Sequence, residues 1–423
     1  MRQRRRAPRR ASAARLESAD WAFHADDAAV FAALARRRHV RSLREYFGAP
    51  AYAELALLAA AAERAGPPRG PRVLILPGIM GSKLGGASAG VLWIDPLRIS
   101  DGRLTDLKLP AGNEIGASGV LLLSYARLKL ELDIAGCDAR LHSYDWRRGI
   151  DELGAQFAAQ IVGEGQPVIV VAHSMGGLVA RAALRLMPKR WVRRLIMLGT
   201  PNQGSFAAVQ ALRGTYPFVR KMALLDRSHS AEYLAEKVFS TFPGLYHLLP
   251  SQRLRGIDLF DRRCWPAGPR PRADLLAGVA AARARLAPAD SRMVQIVGVN
   301  QDTVVAVRRT AAGFQYALAR SGDGTVPVAL AMLPGLRTYY VEELHSNLAN
   351  NPRVVRAIVD LVGSGRTRQL PRRWRVEPGE LRHTDDGQLR REGGAKIDWR
   401  TLTPAERAAA LADLDSARLL CRV

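Results

Sequence analysis

The 423 residues carry 63 Lys+Arg against 39 Asp+Glu, a formal charge of +24 with a sequence pI near 11 and 48% hydrophobic residues. That is enough apolar material for one large α/β domain with insertions. The excess of cations suits polyanions, anionic lipid headgroups or nucleic acid, unless it reflects an Arg-rich composition spread over solvated faces. No stretch reaches the ~20 apolar residues of a membrane span, and Cys137, Cys264 and Cys421 are odd in number with neither metal nor disulfide spacing.

The chain opens on "MRQRRRAPRRASAARLESADW", which has the charge of a signal peptide but no apolar core after it, so secretion is not expected. Residues 1–20 read as a basic arm. From Asp26 to Gly66 the pattern is Ala/Leu-rich and helical, broken at Gly48-Ala49-Pro50, and "GPPRGPR" forms a linker. Residues 1–70 are therefore an arm and a helical extension.

Strands and helices alternate from Pro71. "RVLILPG" and "ARLHSYDW" are strands, and an amphipathic helix covers about 150–162. "QPVIVVAHSMGGLVARAAL" is a strand running straight into a helix, and "RRLIMLGTPNQGS" is a further strand. "MVQIVGVN", "FQYALARSGDGTVP" and "LRTYYVEELHSN" supply later strands, and "PRVVRAIVDLV" a closing helix. This order predicts a doubly wound, mostly parallel sheet over 71–364, with sites beyond the carboxyl ends of its strands. The alternation lapses over about 205–290, which reads as an inserted helical cap. Residues 365–423 read as a basic polar tail lying outside the core, with a short helix at "TPAERAAALADLDSARLL".

"AHSMGG" places Ser174 at the junction of strand and helix. A nucleophile in such an elbow occupies a strained turn and needs small neighbours two residues away on either side; Ala172 and Gly176 meet that need. A serine hydroxyl also needs a base, and the base a third group to hold it. The chain order Ser, acid, His selects among eight histidines. His173 adjoins the serine and should point elsewhere. His24, His39 and His383 lie outside the core, His229 and His247 lie in the cap, and His142 precedes the serine. His345 sits just past a late strand. Asp323, between two glycines in "SGDGTVP", is the first choice of acid, and Asp302 in "NQD" the second. An oxyanion hole would take the N–H of Met175 and one lifted by the turn at Gly78-Ile79 in "LILPGIMGSKL".

Together these residues make the chain resemble the lecithin:cholesterol acyltransferase-like branch of the α/β-hydrolases. The motifs that carry the resemblance are "LPGIMGSKL", "YDWR" (144–147), "AHSMGG", "GTPNQGS", "GDGTVP" and "LHSNL", in order within about 73–362. The resemblance implies a serine acyl-enzyme mechanism on lipid esters, with oxyanion donors at Ile79 and Met175. It also implies a lid and a membrane-contacting region near the site.

The expectation is a serine esterase or lipase cleaving a lipid or phospholipid acyl ester, needing no cofactor and no metal. Transfer of the acyl group to an alcohol is the alternative. A catalytically idle scaffold that binds a membrane or a partner is the reading from another class. "YDWR" is expected to order a strand end, and Asn202 and Ser205 to lie near the pocket rim. No RNA- or DNA-reading motif stands out, so nucleic acid is not an expected partner. The expected place of action is the cytoplasm, peripheral on the inner face of an anionic membrane. Oligomeric state is not legible.

Overall fold

The computed structural model describes residues 20–410 apart from 87–89, 111–114, 251–256, 376–378, 393, 404–405 and 408–409. The basic arm and most of the expected terminal helix lie outside the described residues.

Twelve strands are described: β1 (Arg72–Leu76), β2 (Ser82–Gly86), β3 (Gly90–Trp93), β4 (Gly116–Val120), β5 (Asp138–Leu141), β6 (Val168–His173), β7 (Val192–Leu198), β8 (Met293–Gly298), β9 (Thr303–Thr310), β10 (Gly313–Ala319), β11 (Arg337–Val341) and β12 (Arg382–Asp385). Six form the central sheet in the order β11-β8-β7-β6-β1-β5. Every pairing in it is parallel, from Val73 beside Ile169 to Tyr339 beside Ile296. β6 is buried along its whole length. A central parallel strand covered on both faces is why "VIVVAH" reads as a continuous apolar run rather than an alternating one.

Both faces of this sheet are packed. Val73, Ile75, Ile169, Val171, Ile196 and Ile296 point to one layer with the helix Pro352–Gly363; Leu74, Leu76, Val170 and Met197 point to the other. Alternate residues of one strand thus enter opposite cores, as the period of two requires.

Two three-stranded antiparallel sheets flank the central one, β3-β2-β4 and β12-β10-β9. Here the structure departs from the sequence expectation. "FQYALA" is a strand, but it pairs with β9 and β12 outside the central sheet. Asp323, which follows it, reaches the central sheet because its loop returns beside the end of β8, in a bridge with Gln301. Between β7 and β8 the chain forms the helices Phe206–Arg213, Pro217–Leu225, Ala231–Lys237, Pro243–Tyr246 and Ala273–Ala284.

The ends of the described chain are tied down. Before β1 come the helices Asp27–Ala35, Val40–Phe47 and Ala49–Ala65, the last two meeting at Gly48 with φ 79°. The Asp27 carboxylate pairs with Lys83 Nζ at 3.0 Å and accepts the Val120 N–H at 2.8 Å. Past residue 365 the described residues pack against the rest of the chain. β12 joins β10, and the fully buried Asp386 pairs with the equally buried Arg213 at 2.7 Å. The other Asp386 oxygen accepts the Tyr316 hydroxyl at 2.7 Å. The segment looks solvated in sequence because it is charged, yet its key carboxylate has a buried partner 173 positions away.

Candidate active site

β6 ends at His173 and the helix Met175–Leu186 begins at once, so Ser174 alone makes the turn. Its backbone sits at φ 54°, ψ −125°, a left-handed φ that a non-glycine residue holds only under strain. The Ser174 N–H donates to the Leu198 carbonyl at 2.8 Å, anchoring the strained residue to the neighbouring strand. The small residues around it are required by contact. A Cβ on Gly176 would lie 2.5 Å from the Pro77 carbonyl oxygen, and one on Gly78 would lie 2.9 Å from Ser174 Cβ.

The Ser174 hydroxyl donates to His345 Nε2 at 2.8 Å, and His345 Nδ1–H donates to Asp323 Oδ2 at 2.7 Å. Asp323 Oδ1 accepts two backbone N–H groups, from Thr325 at 3.0 Å and Val326 at 2.7 Å. The His345 N–H closes the loop on the Asp323 carbonyl at 2.8 Å. All three side chains are buried, with Ser174 5% exposed. Gly199, at φ 54°, passes so close that a Cβ there would stand 3.0 Å from both Asp323 Oδ2 and His345 Nδ1.

His173 does point away from Ser174, and it is bonded on both ring nitrogens. Nε2 lies 2.9 Å from the His345 carbonyl, which can only accept, so Nε2 carries the proton. Burial, with a smaller push from the neighbouring His345 imidazole, takes His173 down to about 3, so the ring is neutral and Nδ1 accepts. Its donor is the Tyr125 hydroxyl at 2.8 Å, whose oxygen accepts the Gly78 N–H at 2.9 Å. One hydrogen-bonded chain thus runs from the Gly78 turn through Tyr125 and His173 to the backbone of His345. Sequence reasoning missed Tyr125, because no local spacing links positions 48 apart.

The turn is closed by the Gly81 N–H on the Gly78 carbonyl at 3.1 Å, with Met80 at φ 62° and its carbonyl held by Trp93 Nε1 at 2.9 Å. Gly78's own N–H is occupied by Tyr125. Among the described residues, none accepts from the N–H of Ile79 or Met175.

The remaining sequence candidates have other partners. Asp302 is half-exposed and ion-paired with Arg382. Asp145 holds the fully buried Arg147 in a two-pronged pair at 2.8 Å, while Arg147 also donates to the Leu107 and Ile115 carbonyls. Tyr144 donates to the Pro77 carbonyl at 2.7 Å, so "YDWR" orders the strand end and the turn beneath Gly78. Asn202 bridges Arg181 and the Ala331 carbonyl, and Ser205 bonds the Thr325 carbonyl and lines the pocket. His247 Nδ1 accepts the Ile150 N–H at 3.0 Å. Among the described residues, no group of three or more His, Cys, Asp or Glu side chains is set to hold a metal ion.

Ser174 and His345 face a cavity of about 460 Å³, within the usual range for small-molecule sites. Its walls are mainly apolar, among them Ile79, Met80, Trp93, Leu121, Phe218 and Leu248. A parallel doubly wound sheet with a strained serine elbow, a carboxylate and a histidine in that chain order defines an α/β-hydrolase.

The chain belongs to the lecithin:cholesterol acyltransferase family, whose model matches residues 138–363, just over half of it. It is similar to the lysosomal phospholipase A and acyltransferase of Canis lupus familiaris, 31% identical over 113 residues that cover 23% of this chain and 28% of that protein. The Homo sapiens protein of the same name is 28% identical over 144 residues, covering 28% and 35%. The chain thus spans roughly a quarter to a third of the length of the curated relatives it matches. Among solved structures, Bacillus licheniformis lipase BlEst2 in its propeptide form aligns with a TM-score of 0.37 and 16% identity over 70% of this chain and 51% of that one. Phospholipase PlaB from Legionella pneumophila aligns at 0.34 and 13%, over 70% and 59%. Among the described residues, no helix is long and apolar enough to cross a membrane.

Proposed function

We propose that this protein is a serine hydrolase that cleaves the acyl ester of a lipid or phospholipid. The observation that carries the reading is the continuous hydrogen-bonded chain Ser174–His345–Asp323 opening on an apolar cavity. Ser174 Oγ attacks the ester carbonyl as its proton passes to His345 Nε2, and Asp323 holds the imidazole in the tautomer that can receive it. The tetrahedral oxyanion takes the N–H groups of Ile79 and Met175. His345 then returns the proton to the leaving alcohol. Water, activated by the same imidazole, releases the carboxylic acid and restores the serine.

An alcohol in place of water gives acyl transfer, and the names of the matched family and relatives favour keeping that second reading. The proposed place of action is the cytoplasmic face of an anionic membrane. The charge of +24 supports the membrane, and the free thiols of Cys137 and Cys264 support a reducing compartment.

The test compares wild type with Ser174→Ala on a short-chain p-nitrophenyl ester, then on a total lipid extract resolved by mass spectrometry. Turnover should vanish in the variant with the circular dichroism spectrum unchanged. Equal turnover by both proteins would overturn the mechanism. Free fatty acid in the products marks hydrolysis, and a new ester marks transfer.

A further inference from the structure

The helices that precede β1 contribute nothing to the hydrogen-bonded site, yet three of their side chains line the same cavity as Ser174: Phe47, Ala51 and Leu55. Ala51 and Leu55 are four apart on the helix Ala49–Ala65 and therefore share a face. Phe47 joins them because Gly48, at φ 79°, ends the previous helix and starts this one. Only glycine takes that conformation without strain.

We propose that this N-terminal helical layer is the wall against which the acyl chain of the ester lies, and that the small side chain of Ala51 sets how long a chain fits. The inference rests on the reading of Ser174 as nucleophile. Ile79, Met80, Leu121 and Leu123 line the same cavity, whereas Glu343, Ser346 and Asn347, three polar lining residues, sit on the loop that carries His345. An alkyl chain against Phe47, Ala51 and Leu55 would desolvate apolar side chains, whereas against Glu343, Ser346 and Asn347 it would strand polar ones.

The wall is also fixed. Glu54, one turn along the same helix, pairs with Arg127 at the cavity edge, and Asp27 pairs with Lys83 next to β4. Leu55, Ala56 and Ala59 are buried, so the helix packs along its length instead of resting on the surface. A fixed wall discriminates by volume, because an intruding side chain cannot be pushed aside.

Fluorophosphonates carrying an ethyl or a dodecyl chain react directly with an activated serine and report chain preference independently of the natural ester. Labelling rates are measured for wild type, Ala51→Trp and Phe47→Ala. Ala51→Trp should lower the dodecyl-to-ethyl rate ratio by at least about tenfold, each lost methylene contact being worth on the order of fourfold. Phe47→Ala should raise the ratio. Should Ala51→Trp fail to fold by circular dichroism, Ala51→Val and Ala51→Leu must lower the ratio in order of side-chain volume. An unchanged ratio in the folded variants overturns the wall. Absence of labelling in wild type by either reagent would instead remove Ser174 as nucleophile, a different failure.

Discussion

Tyr125 and His173 are bonded hydroxyl to imidazole at 2.8 Å, and through that bond the Gly78 turn and the backbone of His345 are held by a single buried chain. Tyr125→Phe removes the acceptor of the Gly78 N–H and the donor to His173 Nδ1 together. Two buried groups then lose partners, each at about 1–3 kcal/mol. Urea denaturation should show that loss in the midpoint. Because the turn also presents Ile79, kcat on a p-nitrophenyl ester should fall more than KM rises. A variant with reduced stability and unaltered kcat would show that the chain supports the fold alone.

Asp323→Asn keeps the shape of the acid and reverses what it can tell the imidazole. The amide NH₂ facing His345 Nδ1 favours the tautomer with Nε2 protonated, which cannot accept from Ser174. A fall in kcat of roughly 10³–10⁴-fold is expected. Activity within tenfold of wild type would mean that another carboxylate orients His345.

Acid should weaken the fold earlier than carboxylate chemistry alone would. Burial lowers His142 and His247 to about 4, and burial together with His345 lowers His173 to about 3. Each folded value lies below the ~6.5 of a free imidazole, so the unfolded chain binds its protons first. The stability from neutral burial is therefore present above about pH 6.5 and is lost as pH falls toward the folded values. The slope is up to about 1.4 kcal/mol per pH unit for each histidine. Urea titrations between about pH 7.5 and about pH 5 should show the decline, and His247→Asn should reduce it by about one proton. A stability that stays level over that range would contradict neutral burial.

The buried pair Arg213–Asp386 should be costly to break from one side. Asp386→Ala leaves the guanidinium facing the Pro266 and Ala267 carbonyls without its counter-charge. A loss of about 3–5 kcal/mol is expected by denaturant titration. Replacing both partners with apolar residues should recover much of it. A small effect of the single change would mean that water reaches Arg213.

The central sheet and the serine, acid and histidine were legible because each leaves a local mark. Continuous apolar runs spell buried parallel strands, crowded small residues spell the elbow, and the chain order narrows the histidines to His345. The rest depends on contacts between distant positions. β2–β4 are short, glycine-bearing and irregular in register, so no alternation announces them. Tyr125 looks like any aromatic on a helix until His173 is seen across from it. Asp386 looks solvated until Arg213 is placed beside it, and Phe47 belongs to a helix whose destination no periodicity specifies.

The Arg213–Asp386 pair also bears on the order in which the molecule can be completed. A ribosome delivers Arg213 long before Asp386, so the growing chain carries an uncompensated guanidinium at what will become the core of the region after β7. That region cannot take its final packing until synthesis has passed β12, although the strands that carry Ser174 are already available to pair. The strand that carries Ser174 is thus made well before the carboxylate that completes the packing of the region after β7.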